Sequence, residues 1–143
     1  MRTLAALLVL AACGSASTKS NQQSTLDSIP KAAAAALERA AGGATIESVE
    51  REGETYEATW HVDGLEREAE VTASGELLEL EEEVRSEQVP STVRAMALVK
   101  LPNAQSIKFI RLKSGNYEAE AMIDGKEHEI TMTADGREIA DDD

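Results

Sequence analysis

Glutamates at alternate positions dominate the chemistry available to this chain. Glu66, Glu68 and Glu70 follow one another at a spacing of two, as do Glu118 with Glu120 and Glu127 with Glu129, and Glu57 precedes the first group. Residues two apart in a strand share a face, so strands would gather these carboxylates on one surface. Three chemistries could use them: acid/base catalysis, cation coordination, or capture of a cationic partner. Acid/base work needs two carboxyl groups in contrasting environments that separate their pKa values, and an open sheet offers neither burial nor contrast. Calcium takes about six to eight converging oxygens, whereas side chains on a flat sheet run parallel and no D-x-D-x-D-G run is present. A divalent cation is therefore the weaker reading. Capture of a basic segment needs only a concentrated negative surface.

Other reactive groups are sparse. His61 and His128 are too few for most zinc sites and read as strand residues beside a carboxylate or an aliphatic edge. The Asp141-Asp142-Asp143 end reads as solvated, and Gly42-Gly43 as a helix stop. No H-E-x-x-H, G-x-S-x-G or phosphate-cradling glycine loop occurs. No catalytic, metal or cofactor-binding residue is assigned, and no cofactor is expected. The 143 residues carry 27 acidic against 14 basic side chains, a net charge of −13. Nucleic-acid affinity rests on cations that neutralise phosphates, so a nucleic-acid partner is not expected.

The elements that position the carboxylates follow from an internal repeat. The pattern Y-E-A-x4-D-G-x-E-x-E-x3-T-A-x-G occupies residues 56–75 and again 117–136, with ten identities in twenty. Upstream, Ile29-Pro30-Lys31 matches Val89-Pro90-Ser91 at a shift of 60. Each copy reads as a helix, over 28–41 and from Pro90 to about Lys100, followed by four strands. Those strands fall near 45–52, 55–62, 65–73 and 76–84, then near 106–113, 116–123, 126–134 and 137–140. Asp63-Gly64 and Asp124-Gly125 suit two-residue type I′ hairpins, whose central residues need positive φ. Such turns fix the register. Tyr56, Ala58, Trp60 and Val62 then face Val71, Ala69, Arg67 and Leu65, and Tyr117, Ala119, Ala121 and Ile123 face Met132, Ile130, His128 and Lys126. This is the face a helix should cover, with Trp60 pointing inward.

The opposite face pairs Glu57 with Glu70, Thr59 with Glu68 and His61 with Glu66, then Glu118 with Thr131, Glu120 with Glu129 and Met122 with Glu127. Like charges directly opposed destabilise a sheet, and a basic partner would relieve them. These twelve residues form the candidate partner-binding face. A lysine replacing Glu57 or Glu120 is expected to relieve the same repulsion.

At the amino terminus, Arg2 precedes an apolar run from Leu4 to Ala12 that is too short to span a bilayer and reads as a signal-peptide core. Leu10-Ala11-Ala12-Cys13-Gly14 resembles the bacterial lipobox, which makes Cys13, the only cysteine, the expected lipidation site. Gly14 to Thr25 is small and polar, as a flexible tether would be, with a reach on the order of 20 Å. A residue other than aspartate after the cysteine favours the outer membrane in a Gram-negative host.

The repeated unit resembles the PepSY family, including its β-lactamase-inhibitor-like branch, whose units often occur in tandem on bacterial lipoproteins. The residues that carry the likeness are Tyr56, Asp63, Gly64, Glu66 and Gly75, and Tyr117, Asp124, Gly125, Glu127 and Gly136. They are mostly turn and strand positions, so the resemblance implies fold and location better than activity, together with a role in restraining peptidases. The expectation is an α+β chain of two tandem α-β-β-β-β units, with helices on one face of the sheet. A signal peptide (1–12), a lipidated cysteine with tether (13–25), unit 1 (26–86) and unit 2 (87–143) follow in order. Functionally it reads as a non-catalytic envelope lipoprotein, periplasmic or surface-facing, that binds a basic or peptide-like protein such as a protease. A cation-binding or structural envelope protein is the alternative.

Overall fold

The computed structural model describes residues 21–139. The expected signal segment, Cys13 and most of the tether lie outside the described residues, as does the acidic end. Nine strands run in chain order through one antiparallel sheet: β1 (Asn21–Ser24), β2 (Ser48–Glu52), β3 (Thr55–Val62), β4 (Leu65–Thr72), β5 (Leu77–Val84), β6 (Lys108–Leu112), β7 (Tyr117–Ile123), β8 (Lys126–Met132) and β9 (Glu138–Ile139). Two short helices, α1 (Lys31–Ala41) and α2 (Ser91–Lys100), connect β1 to β2 and β5 to β6. Among the described residues no helix is long and apolar enough to cross a membrane.

This corrects the expected architecture of two tandem helix-plus-meander units. A single sheet dominates, because β5 pairs directly with β6, placing Glu83 opposite Ile110 and Val84 opposite Phe109. Pairing satisfies backbone groups that each four-stranded meander would leave on an open edge. The tether reading is corrected as well: Asn21–Ser24 forms the edge strand β1, with Ser24 opposite Val49. Its polar side chains carry no strand periodicity, and its backbone pairs with β2 from Asn21 opposite Glu52 to Ser24 opposite Val49.

Both hairpins take the register that their turns dictate. Asp63 and Gly64 have φ of 54° and 77°, Asp124 and Gly125 of 53° and 76°, and every side-chain pair expected across β3/β4 and β7/β8 is present. Helix α1 begins one residue after Pro30, which occupies the N-cap. Ser28, inside the expected helix span, closes the preceding 3-10 turn, its hydroxyl accepting the Thr25 N–H at 2.9 Å. Gly42 ends α1 in the left-handed conformation, as a helix stop requires.

Helices α1 and α2 pack on the same side of the sheet over two separate cores. Ala33, Ala36 and Leu37 meet Ala58, Trp60, Ala69 and Val71, with Trp60 buried. Val93 and Ala97 meet Phe109, Ala119, Ala121 and Met132. Slim alanines lie over Trp60, and bulkier Val93 and Met96 share a core with Ala121, so the layers exchange volume as close packing demands. Between the cores, Glu82 of β5 is held by Arg67 of β4 at 3.6 Å and by Arg111 of β6. Among the described residues, the other side of the sheet bears no helix.

Candidate functional site

Strand alternation directs nearly all strand glutamates to the uncovered side. Glu50, Glu57, Glu70 and Glu79 stand opposite one another in a row across β2 to β5. A neighbouring row runs Thr59, Glu68, Glu81 and Leu112. Further along, Glu83 faces Ile110, which faces Glu118 and then Thr131, while Lys108 faces Glu120 and Glu129. The continuous sheet thus merges what the sequence presents as two acidic patches into one field.

All twelve candidate residues lie on this face. The sequence reading missed Glu50, Glu79, Glu81 and Glu83, together with Lys108 and Ile110. The alternation of Glu79, Glu81 and Glu83 carried that signal, but Glu82 interrupts it, and the tight turn at Thr72–Gly75 does not pass its count unchanged into β5. A β-bulge between Glu70 and Val71 further detaches β5 from any simple count.

The centre of the face is a shallow depression lined by Glu66, Glu68, Glu81, Glu83, Lys108 and Ile110. Ile110 is only 2% exposed although it points away from both helices, because the stems of the surrounding side chains cover it. Lys108 is the only strand cation on this side among the described residues. Its Nζ donates to Glu66 Oε1 at 2.9 Å and lies 3.6 Å from Glu120 Oε2, joining β4 to β7. The Glu66 backbone N–H donates to Glu83 Oε2 at 3.0 Å, and Thr55 Oγ1 to Glu70 Oε1 at 2.5 Å.

Crowding raises the proton affinity of these carboxyls. Partial burial, followed by repulsion from Glu68, Glu52, Glu70 and Glu50, pushes Glu57 up to about 7. Burial, then Glu79 and Glu68, does the same for Glu81, also to about 7. Glu118 is raised by burial and by sharing a hydrogen bond with Glu129. Glu68 and Glu120 are raised chiefly by burial, with Lys108 pulling against the rise. Lys108 itself reaches about 12, burial being outweighed by its bond to Glu66 and by Glu120.

His61 stands at the rim of this face, its Nδ1 3.1 Å from Glu47 Oε2, while His128 lies on the helix side opposite Ala121. Among the described residues no three His, Cys, Asp or Glu side chains are grouped to hold a metal ion. The face can hold protons and attract positive charge at close range, over a width no single small ligand would span.

The fold recurs in solved structures. A protein from Bacteroides eggerthii described as periplasmic matches with a TM-score of 0.62 and 15% identity, over 78% of this chain and 86% of its own. A DUF2874 family protein from Bacteroides uniformis matches at 0.63 and 14%, over 78% and 86%. A BLIP-like protein from Bacteroides fragilis matches at 0.60 and 21%, over 78% and 84%. At these identities the likeness is one of fold. No family model matches the sequence, and no curated protein does.

Proposed function

We propose that this chain is a non-catalytic cell-envelope lipoprotein, anchored through Cys13, whose uncovered sheet face binds a basic, peptide-like segment of a partner protein. The observation that carries the reading is the row Glu50, Glu57, Glu70 and Glu79 continued by Glu68 and Glu81. Half-covered carboxyls that retain protons near neutrality have much to gain from an incoming ammonium or guanidinium, which would favour their ionised forms. Structures of the same fold described as periplasmic or BLIP-like support an envelope setting. A protease restrained through a basic surface is one partner of this chemistry.

The test is affinity capture from envelope extract on the immobilised full chain, eluted with rising salt and compared with Glu57→Lys plus Glu81→Lys. One protein with a basic surface, released by salt and missed by the variant, is the expected result, since electrostatic interfaces weaken with ionic strength. Capture that ignores both salt and the substitutions would reject this face as the binding surface. An empty column would return the chain to a structural role.

A further inference from the structure

Among the described residues, the second copy of the repeat is short of the strand that completes the first. In the first copy β5 lies along β4 and supplies partners from Arg67 to Val71. In the second, the equivalent place beside β8 belongs to β9, which pairs only with Thr131 and Met132. At the shift of 61, Lys126 to Ile130 of β8 correspond to Leu65 to Ala69 of β4. Lys126, Glu127, His128 and Glu129 are exposed, whereas β4 has no exposed residue.

Two residues of this edge present backbone groups to it. Ile123 and Lys126 close a two-residue hairpin and exchange their backbone bonds. The antiparallel alternation then turns the N–H and C=O of His128 and Ile130 toward β7 and those of Glu127 and Glu129 outward. The first copy has partners for the equivalent groups. The Glu66 N–H, matching that of Glu127, donates to Glu83 of β5, and Glu68, matching Glu129, lies opposite Glu81.

Side chains set the chemistry of a matching strand. Glu127 and Glu129 lie on the open face and form no ion pair among the described residues; Glu129 shares a hydrogen bond with Glu118. Lys126 belongs to the helix side beside the turn, and Arg137 beyond β8 is held by Asp135 at 3.0 Å. Also on the helix side, Ile130 is half-buried against the second core. Its counterpart Ala69 has Leu80 of β5 opposite it, packed against the first core.

We infer that the outer edge of β8 takes up an extended segment of a partner protein as an added antiparallel strand, with lysine or arginine beside Glu127 and Glu129 and an apolar residue beside Ile130. The inference rests on the basic-partner reading and gives it a pairing geometry. In strand addition main-chain bonds supply affinity and alternate side chains supply specificity. Charges on an edge ordinarily keep strands apart. On the open face here they are of one sign, so they turn away an acidic strand and admit a basic one. A second copy paired through this edge about His128 would set Glu127 against Glu129. The chain's own Asp141 would meet Glu129 if the β9 register simply continued.

The probe is a labelled peptide of alternating lysine and valine, titrated onto the full chain by fluorescence anisotropy. Binding should slow amide exchange at Glu127 and Glu129. N-methylating the lysine amides, which face β8 in this pairing, should weaken binding about tenfold or more, the scale of one or two lost hydrogen bonds. N-methylating the valine amides, on the far edge, should not. Glu129→Pro removes an outward N–H that β7 does not use, and should bind about fivefold more weakly than Glu129→Gln, which removes only the charge; circular dichroism verifies the fold. Binding that ignores both N-methylation and the proline would lay the peptide across the open face, keeping the proposed function and overturning the edge. No binding at all would also overturn it, while the basic-partner reading is decided separately by the capture experiment. So would a dimer in sedimentation that Glu129→Pro dissociates, or an affinity that rises on deleting residues 141–143. Those results would give the edge to a second copy or to the chain's own end.

Discussion

The ammonium of Lys108 on β6 lies 2.9 Å from the carboxylate of Glu66 on β4, reaching across β5. The ion pair ties the two halves of the repeat together on the acidic face. It also answers repulsion that would otherwise be concentrated where β5 and β6 pair. Both side chains are about one-third exposed, so solvent screens the interaction and each such pair contributes on the order of 0.2–1 kcal/mol.

Lys108→Met should therefore lower stability by about 1 kcal/mol at pH 8 in low salt. The loss should shrink at pH 5, where protonated glutamates no longer need a counter-charge, and at high salt. Urea denaturation of both proteins at the two pH values measures this. A loss independent of pH would mean that Lys108 acts through packing over Ile110.

Stability should fall as pH rises from about 4.5 to about 7. Glu57 and Glu81 carry folded-state values near 7 against an ordinary 4.5, so in this interval the folded chain holds more protons than the unfolded one. Where that is so, the unfolding free energy decreases with pH. After discounting for partial exposure, the two groups together account for on the order of 1–2 kcal/mol. A melting temperature that climbs over this interval would contradict the crowded-carboxyl picture.

How far the sequence foretold this face depends on where a short turn fixes the register. Asp63-Gly64 and Asp124-Gly125 do so, and from them the pairs Glu57 with Glu70 and Glu120 with Glu129 follow by counting. The turn at Thr72–Gly75 leads into β5, but the register shift between Glu70 and Val71 breaks the count there. Glu81, Glu82 and Glu83 are chemically identical in sequence, yet Glu82 turns to Arg67 and Arg111 while its neighbours turn to the open face. Its partner β6 lies beyond α2, and pairing over such a distance has no local signature. The single sheet and the role of Lys108 were hidden for that reason.

Backbone approach explains the glycine that ends each repeat. A Cβ on Gly75 would stand 2.6 Å from the carbonyl oxygen of Ala32 in the first turn of α1, and one on Gly136 would stand 2.9 Å from that of Thr92 in α2. Both glycines also have positive φ, 85° and 82°. Gly75→Ala should cost about 2–4 kcal/mol, combining left-handed strain with displacement of the helix. Gly53→Ala, with φ of 61° and open space around it, should cost only about 1 kcal/mol. Equal losses in thermal or urea unfolding would show that the close approach to α1 carries no energy.

Glu57 and Glu120 look interchangeable in the repeat, and charge reversal should tell them apart. Glu57 stands opposite Glu50 and Glu70, so Glu57→Lys exchanges repulsion for attraction and should raise stability by about 0.5–1 kcal/mol at pH 8. Glu120 has Lys108 at 3.6 Å. Glu120→Lys sets two ammonium groups together and should lower stability by a similar amount, contrary to what hairpin pairing alone implies. The physical difference is the strand on the far side: β2 offers Glu50 to Glu57, whereas β6 offers Lys108 to Glu120. Parallel urea titrations of the two variants decide the matter, and shifts of the same sign would place Lys108 elsewhere than against Glu120.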